Sequence, residues 1–240
     1  MVARLLGAVL PAACLGCGEP LLARHSALNL CPACRARIRS LPAAVCAVCG
    51  RPLAGLANAP QGLRCPACRA HSPAFERLLA LWSYEPPVDA VLLALKFRRL
   101  DYLGRHLAAE ILASLSDRLP ALDGVVAVPL HWRRRLTRGY NQAELIAAPI
   151  AAGLGVPLLA ALAKPRATRP QSRLPRKERM ANLRKAFAVR RPDRIAGRRL
   201  LLVDDVATTG ATLDAAAAAL KAAGAAAVVA LVVARTPATD

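Results

Sequence analysis

Eight cysteines stand in four Cys-x-x-Cys pairs within the first third of the 240-residue chain. A pair with this spacing brings two thiolates to one side of the backbone, and two pairs supply the four sulfur ligands of a tetrahedral zinc site. Pairs one and two are separated by 13 residues and pairs three and four by 15, near the roughly 15–20 residues usual in zinc ribbons. The sequence therefore predicts two structural zinc sites. The predicted ligands are Cys14, Cys17, Cys31 and Cys34 in the first site, and Cys46, Cys49, Cys65 and Cys68 in the second.

The cysteine segment is an internal repeat, which favours sites built from consecutive pairs. The pattern Cys-x-x-Cys-Gly-x-Pro-Leu occurs at 14–21 and again at 46–53, and a second pattern, Cys-Pro-Ala-Cys-Arg-Ala, recurs in the same way. Gly18 and Gly50 follow the first pair of each copy, where the lack of a Cβ lets the chain turn back. Each copy is too small to bury a core, so metal would supply most of its folding free energy. We therefore expect metal removal to unfold residues 1–72 and to leave the second domain folded.

Other uses of paired cysteines fit this sequence less well. Disulfides need an oxidising compartment, and the apolar stretch at 5–13 is too short for a comfortable export signal, while a thioredoxin-type motif needs only one pair. The uncharged run at 222–234 falls below the ~18 residues that span a bilayer. The sequence thus predicts a cytoplasmic protein without membrane insertion. Two roles stay open for the ribbons: structural support, and contact with nucleic acid through flanking arginines.

Two adjacent carboxylates, Asp204 and Asp205, follow the four apolar residues at 200–203. Such an apolar run predicts a strand buried on both faces, and open α/β sheets bind ligands at the carboxyl ends of their strands. The turn at 208–210 is rich in hydroxyl groups and opens a predicted helix, whose free N–H groups would hold a phosphate. The combination suits a sugar phosphate whose hydroxyls meet the carboxylates. Capping by Asp and Thr would explain these residues singly but not together.

Basic side chains outnumber acidic ones by 34 to 15, and the net charge is +19. The excess is concentrated at 131–199, which holds 18 basic and 3 acidic side chains. The charge excludes an acidic solvating chain, and 55% hydrophobic residues exclude a disordered one. Aromatic residues make up only 3%, so stacking platforms for single strands are scarce. Phosphate binding by the basic block is the favoured interpretation, with a merely solvated basic face as the alternative.

Longer elements begin after Ser72 and divide the chain into a ribbon segment at 1–72 and a second domain at 73–240. Strands alternate there with helices, which predicts an α/β fold with a mostly parallel sheet and helices on both faces. The predicted strands are 125–128, 200–203 and 226–234, the predicted helices are 88–115, 141–152 and 212–223, and a basic loop is predicted just after the first strand.

The run from Leu200 to Thr212 resembles the motif by which type I phosphoribosyltransferases bind phosphoribosyl pyrophosphate (PRPP). The resemblance implies that the acidic pair holds the ribose 2′ and 3′ hydroxyls and that the following loop holds the 5′-phosphate, with Mg²⁺ bridging pyrophosphate and ribose oxygens. The PRPP-binding residues implied in this way are Asp204, Asp205, Val206, Ala207, Thr208, Thr209, Gly210 and Thr212.

Further motifs resemble the ComF family of competence proteins over nearly the whole chain. They include the cysteine ribbons, Leu-Lys-Phe at 95–97 and Arg-Gly-Tyr-Asn-Gln at 138–142. The resemblance implies a double zinc ribbon ahead of a type I phosphoribosyltransferase-like domain, which has a pyrophosphate loop and a candidate flexible hood at 166–199. A disordered basic linker is the alternative for the hood. The implied pyrophosphate-loop residues are Leu130, His131, Arg133, Arg134 and Arg135, and the implied hood residues for phosphate or DNA are Arg166, Thr168, Gln171, Arg179 and Asn182.

Two functional hypotheses follow from these features. The ComF resemblance implies a PRPP-binding protein that handles incoming single-stranded DNA in natural transformation, with a DNA-translocating helicase as a partner. The alternative is a catalytic phosphoribosyltransferase of nucleotide salvage, which transfers the phosphoribosyl group from PRPP to a base or amine. No base-stacking aromatic that could form an acceptor site follows the last predicted strand, so enzymatic activity stays an open question.

Overall fold

The computed structural model describes residues 13–21, 27–53, 62–165 and 186–237. Four parallel strands form a sheet in the order β1-β6-β5-β2, and a separate antiparallel pair joins β3 to β4. The strands are β1 (Arg77–Ser83), β2 (Gly124–Ala127), β3 (Leu162–Ala163), β4 (Ala188–Val189), β5 (Arg199–Ala207) and β6 (Ala227–Arg235). The helices are α1 (Pro32–Ala36), α2 (Pro66–Ala70), α3 (Val88–Phe97), α4 (Leu103–Leu115), α5 (Trp132–Arg138), α6 (Gln142–Gly153) and α7 (Ala211–Ala222).

Both faces of the sheet are covered, because side chains alternate across each strand. Leu201 and Val203 of β5 belong to a core shared with α3, α4 and α6. Leu200 and Leu202 belong to a second core, shared with α7 and the β3–β4 pair. This arrangement confirms the predicted mostly parallel sheet with helices on both faces. Within the described ranges no helix is long and apolar enough to cross a membrane.

The cysteine ribbons pack onto the edge strand β1 and contribute to both cores. Cys14 and Cys34 lie in the first core and Cys46 and Cys49 in the second, so the two ribbon copies sit on opposite faces of the sheet. The N–H of Leu78 donates to the carbonyl of Val48 at 2.7 Å, and the N–H of Ser83 donates to that of Arg39 at 2.9 Å. These bonds pair the free edge of β1. The shared packing argues against the expectation that residues 1–72 would unfold alone.

Several elements differ from the sequence predictions, and three of them have a clear physical reason. The predicted helix 88–115 is interrupted between α3 and α4, where Arg99 adopts a left-handed conformation with φ of 56°. The predicted basic loop contains helix α5, since its arginine-rich segment has good helix formers and lacks glycine and proline. Strand β1 was not predicted, because its short apolar run carries no period that distinguishes a strand from a buried helix.

Candidate metal centres and ligand site

The eight cysteines form two tetrads composed of consecutive pairs. In each tetrad the four sulfur atoms lie within 4.8 Å of one another. Cys17 and Cys31 have their Sγ atoms 3.8 Å apart, and those of Cys49 and Cys65 are 3.7 Å apart. Tetrahedral zinc with Zn–S bonds of about 2.3 Å requires sulfur separations of about 3.8 Å. The geometry therefore fits zinc and confirms the predicted grouping of the pairs.

Backbone N–H groups prepare one thiol of each tetrad for metal. The N–H of Cys31 donates to Cys14 Sγ at 3.2 Å, and that of Cys65 donates to Cys46 Sγ at 3.3 Å. Desolvation raises the pKa of Cys14, but bonds from backbone N–H groups outweigh it and bring the pKa to about 6. The same opposition brings the pKa of Cys46 to about 7. Each tetrad thus has one thiol whose pKa lies below the usual cysteine value, which favours the thiolate, the form that binds metal.

The two tetrads differ in their exposure to water. Cys17 of the first tetrad is exposed and Cys31 is partly exposed, whereas all four cysteines of the second tetrad are buried. Gly18 and Gly50 both have positive φ, 83° and 64°, which confirms the predicted turns. A Cβ on Gly18 would meet nothing within 4 Å, but one on Gly50 would lie 2.8 Å from the carbonyl oxygen of Leu78 in β1. Gly50 therefore also permits close docking of the second ribbon on the sheet.

The acidic pair lies within β5 near its carboxyl end, rather than beyond the strand. Asp204 is opposite Val232 of β6, and Val206 and Ala207 also remain paired with that strand. Val206 and Ala207 were implied to lie in the loop, and that location is wrong, since β5 continues through both; their implied role in PRPP binding stays a prediction. The loop itself is short, and it spans Thr208 to Gly210.

The loop after β5 leads directly into the N-terminus of α7. Thr208 and Thr209 are exposed, and the Thr209 hydroxyl oxygen accepts from the N–H of Ala211 at 3.3 Å. Gly210 has a φ of 82°, so it is required for its backbone conformation; a Cβ there would only reach ordinary contact with Phe75. Thr212 lies in the first turn of α7. Exposed hydroxyls and free N–H groups at a helix start can bind a phosphate.

A chain of polar contacts surrounds Asp205, which is only 4% exposed. Lys96, near the end of α3, forms an ion pair with its Oδ2. Gln142 Nε2 donates to its Oδ1 at 3.5 Å, and Arg138 Nη1 donates to Gln142 Oε1 at 2.7 Å. The Arg138 guanidinium also lies 4.9 Å from the centre of the Phe97 ring. Sequence reasoning did not propose Lys96, Arg138 or Gln142 as site residues, although all three lie in the motifs at 95–97 and 138–142.

Two neighbouring residues fix the positions of these side chains. Asn141 caps α6 by accepting from the N–H of Ala143 at 3.2 Å, and its amide donates to the carbonyl of Val128 after β2 at 3.0 Å. The Tyr140 hydroxyl donates to the carbonyl of Leu95. The start of α6, the end of β2 and the end of α3 are thereby tied together. These hydrogen bonds hold Lys96 and Gln142 in contact with the same carboxylate, that of Asp205.

Further basic residues lie on the side of Asp204. Lys164, just after β3, has its Nζ 5.3 Å from the centre of the Phe187 ring. Desolvation lowers the pKa of Lys164, and the charge of Asp204 opposes that effect. The positive charge of the exposed Arg134 also lowers the pKa of Lys164.

The residues implied for pyrophosphate and for the hood are placed as follows. His131 is buried beside the ring of Trp132, and Leu130 is partly exposed just before it. Arg135 is exposed and pairs with Glu144 at 3.3 Å. The backbone of Arg133 belongs to α5, and only this backbone is among the described parts of the residue. The hood residues that lie outside the described residues are Arg166, Thr168, Gln171, Arg179 and Asn182.

Desolvation, followed by the charge of Asp205, raises the pKa of Asp204 well above its usual range. A raised folded-state pKa favours the protonated form, so its contribution to stability is present at low pH. That contribution is lost as pH rises from the unfolded value of about 3.9 through the folded value. Above the unfolded pKa, the carboxyl group of Asp204 therefore makes the ligand-free protein less stable than an uncharged side chain would, because the fold disfavours its ionisation.

Asp204→Asn is expected to raise the melting temperature of the ligand-free protein at neutral pH, because the amide removes this cost. A gain of 1 kcal/mol corresponds to about 2–4 °C for a domain of this size. Thermal melts between about pH 5 and 8 measure the effect, which should shrink as pH falls. Asp193→Asn, at an exposed position, is the control and should change little. A lower melting temperature for Asp204→Asn at neutral pH would contradict the expected electrostatic cost.

Comparison with known proteins gives the following matches. Residues 5–69 match the double zinc ribbon domain, and residues 141–240 match the phosphoribosyl transferase domain. The chain is 35% identical over 209 residues to the DNA utilization protein YhgH of Salmonella typhi, covering 85% of this chain and 88% of that protein. It is 31% identical over 198 residues to Competence protein F of Haemophilus influenzae, covering 79% of this chain and 83% of that protein.

More distant matches follow the same pattern. Competence protein ComFC of Bacillus subtilis is 27% identical over 192 residues, covering 77% of this chain and 75% of that protein. Among solved structures, the allosteric regulatory enzyme of purine biosynthesis matches with 22% identity and a TM-score of 0.37, covering 54% of this chain and 25% of that one. This structural likeness is too low to carry an argument. The two domain matches confirm a double zinc ribbon followed by a phosphoribosyltransferase domain.

Proposed function

This chain belongs to the ComF family, with the DNA utilization and competence proteins just described, and on that basis we propose that it binds PRPP and handles single-stranded DNA in the cytoplasm. The observation that carries the proposal is the polar network at the carboxyl end of β5. Two carboxylates lie there close to the start of α7, and Lys96, Arg138 and Lys164 lie around them.

The proposed roles follow from the chemistry of each group. Asp204 and Asp205 would accept hydrogen bonds from the ribose hydroxyls, and the loop from Thr208 to Gly210 would hold the 5′-phosphate. Lys96 forms an ion pair with Asp205 in the ligand-free protein, and it would be released to bind the pyrophosphate when the carboxylate turns to the ribose. Mg²⁺, when bound with PRPP, would offset the negative charge of the pyrophosphate.

Helix α5 is the surface that best supports contact with DNA. Arg134 and Arg135 are exposed on it, and Arg138 at its end also belongs to the network around Asp205. Arginines bind backbone phosphates without regard to base sequence. PRPP and a single strand would therefore meet adjoining or shared arginines, and each would affect the binding of the other.

Single-strand affinity, measured across a salt series with and without PRPP, tests this function. We expect affinity that depends little on sequence and falls steeply with salt, with each phosphate contact adding about −0.7 to the log–log slope. Arg134→Ala/Arg135→Ala is expected to reduce the magnitude of that slope by about 1.4. PRPP is expected to weaken or reposition the bound strand in the wild type.

Arg37→Ala/Arg39→Ala is the matched control, since it removes two exposed arginines from the ribbon segment. If this pair reduces the slope as much as the α5 pair does, the ribbons contact DNA too, and α5 is not the main surface. The DNA-handling proposal as a whole is overturned by the following result. If single strands do not bind near physiological salt while PRPP is consumed with some base or amine, the chain is a salvage enzyme.

A further inference from the structure

A buried arginine lies at the carboxyl end of the central strand β6. Arg235 is 1% exposed, and its Nε and Nη1 atoms have no hydrogen-bond partner within the part of the chain that the structure describes. An arginine side chain stays charged at all ordinary pH values. Burying a guanidinium without an opposite charge costs several kcal/mol. The fold must therefore offset this charge from a group close by.

The second cysteine tetrad faces this guanidinium. Burial lowers the pKa of Arg235, and the charge of Cys49 is the largest influence that opposes this effect; Cys46 and Cys65 of the same tetrad act in the same direction as Cys49, and Arg51 acts against them. Burial raises the pKa of Cys49, and the positive charge of Arg235 is one of the influences that oppose this effect. Its Cδ lies 3.8 Å from the position that a Cβ on Gly50 would occupy, so the side chain passes directly beneath the turn after Cys49.

Opposite charges explain why the guanidinium of Arg235 lies against the second cysteine tetrad. Four thiolates and one Zn²⁺ carry a net charge of −2. Water reaches the first tetrad through the exposed Cys17, but all four cysteines of the second tetrad are buried. A buried dianion needs an internal counter-charge, and Arg51 at the ribbon surface is only partly buried. We propose that Arg235 is the counter-ion of the metal-loaded second tetrad, and that each stabilises the other inside the fold.

The position of Arg235 connects this pair to the ligand site. Ala207, the last residue of β5, is opposite Arg235 in the sheet. The next residue, Thr236, donates its N–H to the carbonyl of Ala207 at 3.1 Å and its hydroxyl to that of Thr208 at 3.4 Å. Metal occupancy in the second ribbon thus supports the strand end from which the phosphate loop starts.

Arg235→Met tests the proposal, because it keeps most of the side-chain volume and removes the charge. Zinc release from the full chain to a chelator, followed with a zinc-sensitive dye, is the measurement. We expect one of the two ions to leave at least about tenfold faster than from the wild type, since loss of a supporting residue typically lowers metal affinity by 10–100-fold. The other ion should leave at the wild-type rate.

Arg69→Met is the matched control, since it removes an exposed arginine from the same ribbon, and it should release both ions at the wild-type rate. Arg235→Lys keeps the charge and should retain the second ion better than Arg235→Met. If Arg235→Met does not fold, Arg235→Lys decides: release of the second ion at least about tenfold faster than from the wild type would overturn the proposal, and release near the wild-type rate supports it. Unchanged release from a folded Arg235→Met also overturns it, even if stability falls, because packing alone would then explain the arginine.

Discussion

Cys49→Ser is expected to unfold the whole chain, whereas Cys17→Ser is expected to leave it folded with reduced stability. The two cysteines occupy the same position in the two ribbon copies, so the chemical change is matched. They differ in burial, because Cys49 belongs to the core beneath α7, while Cys17 is exposed. Structural zinc contributes about 10–16 kcal/mol in small ribbons, and a domain has a net stability of only about 5–15 kcal/mol.

Circular dichroism melts and zinc analysis of both variants check this prediction. The wild type should carry two zinc ions per chain, and Cys17→Ser should keep the ion of the second tetrad. Loss of the first site should be local, because water can replace part of what the metal supplied there. A Cys49→Ser chain that keeps a cooperative melt of its α/β domain would show that the second ribbon is an independent unit, as the repeat alone had indicated.

PRPP with Mg²⁺ is expected to raise the melting temperature of the wild type by about 5–10 °C. A ligand that binds only the folded state at a hundredfold excess over its Kd adds about 2.7 kcal/mol, and each kcal/mol is worth about 2–4 °C at this size. Asp204→Asn/Asp205→Asn should lose most of this shift, since the amides cannot replace both carboxylates as acceptors for ribose hydroxyls.

The melting temperature of the ligand-free double variant shows whether a lost shift reflects lost PRPP binding or a loss of folding. Because the cost at Asp204 is removed while Lys96 loses its partner on Asp205, the ligand-free variant should stay folded. Asp117→Asn, exposed after α4 and outside the candidate hood, should keep the full shift. If the double variant retains the wild-type shift, PRPP does not bind at the acidic pair, and the roles assigned to both residues are wrong.

Local patterns were sufficient for the cysteine tetrads and for the buried strand that carries the acidic pair. Both are short-range features: the Cys-x-x-Cys turn fixes two ligands at once, and four consecutive apolar residues bury a strand whatever surrounds it. The end of β5 was predicted too early, because Asp204 and Asp205 are polar and yet remain hydrogen-bonded within the sheet. Burial of a functional carboxylate contradicts the usual pattern, and that exception is typical of ligand sites.

Contacts that depend on packing between distant segments were not predictable in this way. Lys96 meets Asp205 only because α3 and β5 end at the same edge of the sheet. Arg235 and Cys49 lie far apart in the sequence, and no spacing rule connects a strand end with a metal-binding turn. The sequence motifs at 95–97 and 138–142 indicated that these segments matter, but the partner of each side chain became evident only from the tertiary structure.

The position of β6 between β1 and β5 also governs how the chain can fold during synthesis. Val229 pairs with Arg77 on one side and with Leu201 on the other, so the central strand leaves the ribosome after every strand it joins. Until then, the described partners of β1 are the ribbon carbonyls of Val48 and Arg39. A nascent chain that has already bound zinc therefore keeps one edge of β1 paired. A chain made under zinc starvation exposes both edges to its neighbours on the same polysome, where strand edges aggregate.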